Sequence, residues 1–258
     1  VFSGSRLAKI ADELADRTGM GEILAGALFV GASTSLPGAI TSVSTAFQDH
    51  PSLAIGNALG GLTAQTAFIA VADLFYRRAN LEHAAASVTG LAQAVLLLTM
   101  LSMPLIAATE PDITVWGVHP ASAAIVISYI FGLRLLSKIK TEPMWRAVRT
   151  SDTEEEVSAV DENDPRSDES LWRWFVVHAG ITAIAGFVVG EASIALVAMT
   201  GVEESAFGTV FTAVANSLPE LVTAIAAVRI GAVNLAVGDV IGGNAFEVLF
   251  LCLADVAY

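Results

Sequence analysis

Charged residues are scarce in this sequence, and their scarcity excludes an ordinary soluble domain. Only 15% of the 258 residues are charged and 54% are hydrophobic, whereas soluble domains carry about 25% charged residues. The single cysteine, Cys252, excludes a disulfide within the chain, and its apolar surroundings predict a buried, inert thiol. Lys and Arg number 13 against 26 Asp and Glu. The resulting net charge of −13 argues against nucleic acid as a partner.

Motifs for catalysis and for soft metals are also missing. Neither H-E-x-x-H nor G-x-S-x-G occurs in the sequence, which disfavours an intramembrane enzyme. The four histidines are scattered without ligand spacing, so a soft-metal site is not expected. We predict a protein that is not an enzyme and that has no prosthetic group.

Long apolar runs are what the sequence has instead. Residues 84–108 contain no charged residue, and residues 113–133 contain one histidine and no other charged type. A helix needs roughly 20 apolar residues to cross a bilayer, and these runs lack the alternation of barrel strands. We predict an all-α polytopic membrane protein with about eight spans, at 2–16, 21–47, 52–75, 84–108, 114–137, 172–199, 204–228 and 233–258.

The polar segments predict the orientation of the spans and the organisation of the chain. Threading the spans back and forth places all 13 basic residues at one face, which the positive-inside rule assigns to the cytoplasm. The domains are then a first membrane repeat at 1–138, an acidic cytoplasmic loop at 139–170 and a second membrane repeat at 171–258. The loop lacks the spaced acidic pattern of an EF-hand, so a solvated linker is favoured over a regulatory Ca²⁺ site. We expect a multi-pass protein of a prokaryotic plasma membrane.

The strongest signal is an internal duplication at an offset of 182 residues. The matched stretches are Ser35–Gly38 with Ser217–Glu220, Gly56–Asn57 with Gly238–Asp239, and Gly60–Gly61 with Gly242–Gly243. An odd number of spans separates the copies, so the two copies are predicted to have opposite orientations. Such inverted repeats are typical of secondary transporters, which bind substrate near the bilayer midplane at broken helices. Comparing the copies suggests that the first helix lacks its start and that about ten spans make the intact protein.

Each copy interrupts a helix at Ser-Leu-Pro and so provides oxygen ligands. Proline lacks an amide hydrogen, which leaves a backbone carbonyl of the preceding turn without its donor. In the second copy Glu220 follows directly, and Asp239 lies within the next span. A charge at mid-bilayer costs roughly 2.5–3.5 kcal/mol on insertion scales, and two facing carboxylates repel unless a cation lies between them. Carboxylate, amide and carbonyl oxygens suit hard cations such as Ca²⁺.

These stretches resemble the paired α-repeats of the sodium/calcium exchangers, within the cation/calcium antiporter superfamily. The resemblance is carried by Gly-Ala-Ser-Thr-Ser-Leu-Pro (31–37), Gly-Asn-Ala-Leu-Gly-Gly (56–61), Ala-Asn-Ser-Leu-Pro-Glu (215–220) and Gly-Asp-Val-Ile-Gly-Gly-Asn (238–244). The resemblance implies an exchanger-like fold in which two inverted repeats enclose a Ca²⁺ site flanked by Na⁺ sites. The ions involved are then transported substrates, Ca²⁺ and Na⁺ or H⁺.

The resemblance also implies which side chains ligate the cation. Glu220 matches the glutamate of the second repeat, Asp239 its acidic partner on the next helix, and Asn57 the amide of the first repeat. The oxygen donors of the broken helices are matched by Thr34, Ser35 and Ser217.

The sequence departs from the family pattern at several of these positions. Gly38 stands in place of the first-repeat glutamate, and Asn216 in place of a threonine. Leu53 and Leu235 stand where the family has small polar residues near Na⁺. The predicted site therefore keeps two carboxylates where the family usually has three.

Glu247 is a candidate replacement for the missing carboxylate. It stands where the family commonly has asparagine, eight residues after Asp239 and about two helical turns away on a similar face. The alternative is a helix-packing residue or one that lines the access path. The candidate metal ligands are Glu220, Asp239, Asn57, Thr34, Ser35, Ser217, Asn216 and Glu247.

Together these features predict a secondary active cation antiporter. It exchanges Ca²⁺ against Na⁺ or H⁺ by alternating access, and its partners are inorganic cations and the lipid bilayer. The alternative is a non-transporting membrane scaffold or sensor that retains the exchanger fold. The glycine at position 38 favours that alternative, because it removes one carboxylate.

Overall fold

The structure is a computed structural model in which every regular element of the described residues is helical. It describes residues 2–18, 32–109, 113–142, 148, 150, 153, 168–229, 231 and 233–258. The helices are α1 (Phe2–Thr18), α2 (Ala32–Thr34), α3 (Leu36–Phe47), α4 (Pro51–Asp73), α5 (Leu81–Ala84), α6 (Val88–Ala107), α7 (Pro120–Thr141), α8 (Asp168–Thr200), α9 (Glu204–Asn216), α10 (Leu218–Arg229) and α11 (Val233–Ala257). Most of the acidic loop predicted at 139–170, with its linker and Ca²⁺ interpretations, lies outside the described residues, as do residues 21–31 of the second predicted span.

The helices confirm an all-α, multi-pass membrane architecture. By length and composition α4, α6, α7, α8 and α11 are able to cross a bilayer, and α9 with α10, bent by 46°, is a sixth candidate when the pair is counted as one span. Large apolar side chains face outward along these helices; for example, Leu98 is 67% and Ile184 is 66% exposed. Such side chains are stable only against lipid tails.

The prediction of a span at 114–137 was wrong about where the helix begins. Helix α7 begins at Pro120, because the preceding residues form a turn. Trp116 and Gly117 have φ angles of 54° and 84°, which no helix accommodates. The side chain of His119 then caps the helix by accepting a hydrogen bond from the amide of Ala121 at 3.1 Å. The apolar composition of residues 114–119 hid this turn.

The packing of the helices reproduces the inverted duplication. Helix α4 lies along its repeat counterpart α11, and α1 lies along its counterpart α8. The pairs α3 with α8 and α10 with α1 also correspond through the repeat. At the centre Gln65 and Glu247, which are counterparts, form a hydrogen bond of 2.5 Å. A side chain that binds its own counterpart lies at the pseudo-two-fold axis, so this pair marks that axis.

Asp73 and Asp255 are another pair of counterparts, and both bind the start of a neighbouring helix. The Oδ1 atom of Asp73 accepts from the amide of Leu81 at 2.9 Å. The Oδ2 atom of Asp255 accepts from the amide of His119 at 2.9 Å and from Ser122 Oγ at 2.5 Å. Both carboxylates therefore act in capping helices α5 and α7.

Replacing Asp255 with alanine is expected to destabilise the protein. The loss of a capping carboxylate costs about 0.5–2 kcal/mol, and both bonds of Asp255 hold the start of α7. Thermal unfolding in detergent should show a lower Tm for Asp255→Ala. An unchanged Tm would show that these two bonds do not stabilise the start of α7.

Candidate cation site

The helix breaks predicted from Ser-Leu-Pro are present and nearly identical in the two repeats. Ser35, between α2 and α3, has φ −86° and ψ 1°, and Ser217, between α9 and α10, has φ −89° and ψ 3°. These angles belong to the bridge region rather than to the α-helix. Both serines are 2% exposed. The inverted repeats therefore bring two broken helices into the interior of the protein.

Helix α9 contains a π-helical segment that sequence reasoning missed. It covers Gly208–Thr212, and one α-helical turn, Ala213–Asn216, separates it from the break. π-Turns inside α-helices are frequent at functional sites because they displace the backbone that follows. Gly208 is the one cue that the sequence offers. A Cβ atom there would lie 2.6 Å from the carbonyl oxygen of Leu53, so α9 and α4 touch backbone to backbone.

Glu220 lies in the first turn of α10, inside the protein. It is 4% exposed. Neither of its carboxylate oxygens has a hydrogen-bond partner among the described residues. A buried carboxylate without a donor is strongly destabilising. This side chain is therefore held where a cation or a proton is required.

Two further carboxylates lie on α11, the helix that packs against α10. Glu247 is 4% exposed, whereas Asp239 is partly buried. Two adjacent helices of the second repeat thus carry acidic side chains away from the surface.

An amide network connects the two repeats beside the breaks. Asn57 donates from Nδ2 to the carbonyl oxygen of Gly38 at 3.0 Å and to Ser42 Oγ at 2.9 Å. Its Oδ1 atom accepts a hydrogen bond from Asn216 Nδ2 at 2.9 Å. The same nitrogen of Asn216 donates to Thr41 Oγ1 at 3.1 Å. Since Asn57 uses both donor hydrogens within the protein, only its Oδ1 lone pair remains for a ligand. The Oδ1 atom of Asn216 accepts no hydrogen bond in the described part of the chain.

The remaining candidate ligands are hydroxyl groups at the breaks. Thr34, Ser35 and Ser217 are each 2% exposed, and Ser35 Oγ has no hydrogen-bond partner within the described ranges. Those ranges contain no group of three His, Cys, Asp or Glu side chains close enough to hold a metal ion. A cation at this place therefore requires amide, hydroxyl and carbonyl oxygens in addition to carboxylates.

The space beside Gly38 is filled by an aromatic ring. A Cβ atom on Gly38 would lie 3.1 Å from an edge carbon of Phe250 and 3.8 Å from Asn57 Nδ2. Phe250 is 1% exposed. A longer side chain at position 38 therefore requires the ring to move.

Comparison with known proteins assigns these features to a family. The family model described as sodium/calcium exchanger protein matches residues 1–138 and 170–253. Inner membrane protein YrbG of Escherichia coli (strain K12) is 26% identical over 252 residues, which are 97% of this chain and 74% of that protein. Sodium/calcium exchanger MaX1 of Methanosarcina acetivorans is 36% identical over 84 residues, which are 30% of this chain and 24% of that protein.

Solved structures show the same fold. The sodium/calcium exchanger from Methanococcus jannaschii matches with a TM-score of 0.56 and 20% identity, over 99% of this chain and 76% of that chain. The exchanger NCX_Mj soaked with Na⁺ and Sr²⁺ matches with a TM-score of 0.59 and 21% identity, over 98% and 77% of the two chains. With the family model covering both repeats, this chain belongs to the sodium/calcium exchanger family.

Proposed function

We propose that this chain is a secondary active antiporter that binds Ca²⁺ at Glu220 and exchanges it against Na⁺ or H⁺ by alternating access. The observation that carries the proposal is the Glu220 carboxylate, 4% exposed with both oxygens lacking a partner in the described residues. It lies in the first turn after one break, and the inverted repeat contributes a second buried break of nearly equal geometry. A hard cation supplies the charge that this arrangement requires.

The proposed ligand set combines charged and neutral oxygens from both repeats. Ca²⁺ takes about 6–8 oxygen ligands at roughly 2.3–2.6 Å. The breaks offer Ser35 Oγ and Asn216 Oδ1, which lack hydrogen-bond partners within the described chain, together with the Oδ1 lone pair of Asn57. Asp239 is the second carboxylate of this proposal, and the hydroxyls of Thr34 and Ser217 complete it.

Competition for shared carboxylates is the proposed basis of exchange. Glu220 and Asp239 attract any small cation that reaches them, so Ca²⁺ and the driving ion exclude one another. Because the repeats are inverted, each of two related conformations opens the site to one side. We propose that α1 and α8 move to switch access. Helix α8 contacts the first break through Gly186, where a Cβ atom would lie 2.8 Å from the Cα atom of Pro37.

The proposal also includes the kind of membrane and the side of it on which the acidic loop lies. A prokaryotic plasma membrane agrees with the similarity to YrbG, an inner membrane protein of Escherichia coli. The predicted cytoplasmic position of the acidic loop follows from the charge distribution.

Transport driven by an ion gradient tests the proposal directly. We expect the protein in proteoliposomes to accumulate ⁴⁵Ca²⁺ when an outward Na⁺ or H⁺ gradient is imposed, and to stop when the gradient is collapsed by an ionophore. Imposing the two gradients separately identifies the driving ion. Uptake that equals empty liposomes under both gradients would support a scaffold or sensor that retains the fold.

A further inference from the structure

We infer that Glu247 ligates the same cation as Glu220 and supplies the carboxylate that position 38 lacks, with Gln65 as its positioning residue. This inference rests on the proposed function, because it concerns the composition of the proposed Ca²⁺ site. In this inference Glu247, in the middle of α11 and about two helical turns beyond Asp239, takes the place of Asp239 as the second carboxylate, because the described residues contain no three acidic side chains close enough to share one ion.

The first support is the unsatisfied carboxylate of Glu247 itself. The side chain is 4% exposed, and one oxygen accepts from Gln65 Nε2 at 2.5 Å. The other oxygen, Oε2, has no partner in the described residues, and neither has Gln65 Oε1. The pair thus presents two buried oxygens without donors. Unsatisfied groups of this kind are rare unless a ligand binds them.

The second support is the fixed direction of the free oxygen. The glycine at position 61 lies against Oε2, because a Cβ atom there would be 2.5 Å from it. Gln65 holds the other oxygen. The carboxylate of Glu247 is therefore oriented by two residues of α4.

The third support is charge. Glu247 and Glu220 are each 4% exposed, and they lie on α11 and α10, which pack against each other. Two buried carboxylates that repel each other are stabilised by a shared divalent cation, which balances both charges at once.

The fourth support is the ring that occupies the place of the missing acid. Phe250 lies three residues after Glu247 on α11, and its ring closes the space beside Gly38. One turn of α11 therefore carries both Phe250, whose ring fills the space beside Gly38, and Glu247, which supplies the carboxylate in this inference.

Glu247→Gln tests the inference with an isosteric change. We expect the KM for ⁴⁵Ca²⁺ uptake in proteoliposomes to rise at least about tenfold, because a charged ligand is replaced by a neutral one. The Ca²⁺-induced rise in Tm should shrink in parallel, while the Tm without Ca²⁺ stays or rises. Glu191→Gln is the matched control, since Glu191 is exposed on α8 and accepts from Gln48 Nε2 at 2.6 Å. Its KM should not change.

A reciprocal swap covers the case in which Glu247→Gln does not fold. The double variant Gln65→Glu with Glu247→Gln keeps one carboxylate and one amide at the pseudo-two-fold axis. We expect it to fold and to restore the KM to within about tenfold of the original protein, as the acid remains beside the cation. A swap variant that folds but has no Ca²⁺-induced rise in Tm would contradict the inference.

The variants also separate this inference from the proposed function. Unchanged KM in Glu247→Gln, together with lost uptake in Glu220→Gln, would overturn the role of Glu247 and leave the antiporter site at Glu220. Unchanged uptake in both variants would overturn the inference and the proposed site together.

Discussion

Glu220→Gln is expected to abolish gradient-driven ⁴⁵Ca²⁺ uptake while leaving the protein as stable as before, or more stable. The substitution keeps the shape of the side chain and removes its charge. Both carboxylate oxygens lack hydrogen-bond partners in the described residues, so no protein contact is lost. Removing a buried, uncompensated charge relieves a desolvation cost, which raises the Tm measured without Ca²⁺. Removing a charged ligand weakens ion binding by about 2–5 kcal/mol, or at least about 30-fold.

Glu220→Gln should lower Ca²⁺ uptake and leave the Tm unchanged or higher. This combination distinguishes an ion ligand from a structural residue. A residue whose role is only structural would lose stability and activity together when it is changed. Glu191→Gln, at an exposed position on α8, controls for the loss of one negative charge and should leave both properties unchanged. A Glu220→Gln variant that transports Ca²⁺ at the original rate would remove this residue from the site.

Gly60→Val is expected to disrupt the fold, and this is the largest stability effect that the structure predicts. A Cβ atom at position 60 would lie 2.6 Å from the Cα atom of Thr209 and 2.7 Å from the Cβ atom of Ala213. Close backbone approach of this kind depends on glycine at helix interfaces in membranes. The substitution forces α4 away from the π-helical part of α9, at a cost of about 1–3 kcal/mol or more.

The effect of Gly60→Val is best measured against a second glycine in a long helix. Gly180 lies in α8, and a Cβ atom there would meet no other atom within 4 Å. We expect the Tm in detergent to fall by several degrees or the folded yield to collapse for Gly60→Val, and the Tm to stay nearly constant for Gly180→Val. Equal Tm values for the two variants would show that α4 and α9 do not touch as described.

The duplication made much of the site predictable from the sequence. Proline inside a continuous helix removes a hydrogen bond of the preceding turn, so the breaks at Ser35 and Ser217 followed from local chemistry. The inverted orientation followed from counting spans, and it requires counterparts to meet near an axis. The hydrogen bond between Gln65 and Glu247 joins two such counterparts. The offset of 182 residues between them is visible in the sequence.

Other features depended on contacts that the sequence does not reveal. The start of α7 is set by a turn in an apolar stretch, and hydropathy does not distinguish that turn from a helix. The π-helical segment Gly208–Thr212 arises from the packing of α9 against α4 rather than from any local motif. The ring of Phe250 beside Gly38 joins residues that are far apart in the chain, so no spacing rule points to it.

Locating bound Ca²⁺ by anomalous diffraction tests the central claim most directly. In crystals grown with Ca²⁺ we predict an anomalous peak between the two helix breaks, within about 2.3–2.6 Å of an oxygen of Glu220. A Ca²⁺ peak elsewhere in the protein, with the carboxylate of Glu220 out of contact with any cation, would contradict the account.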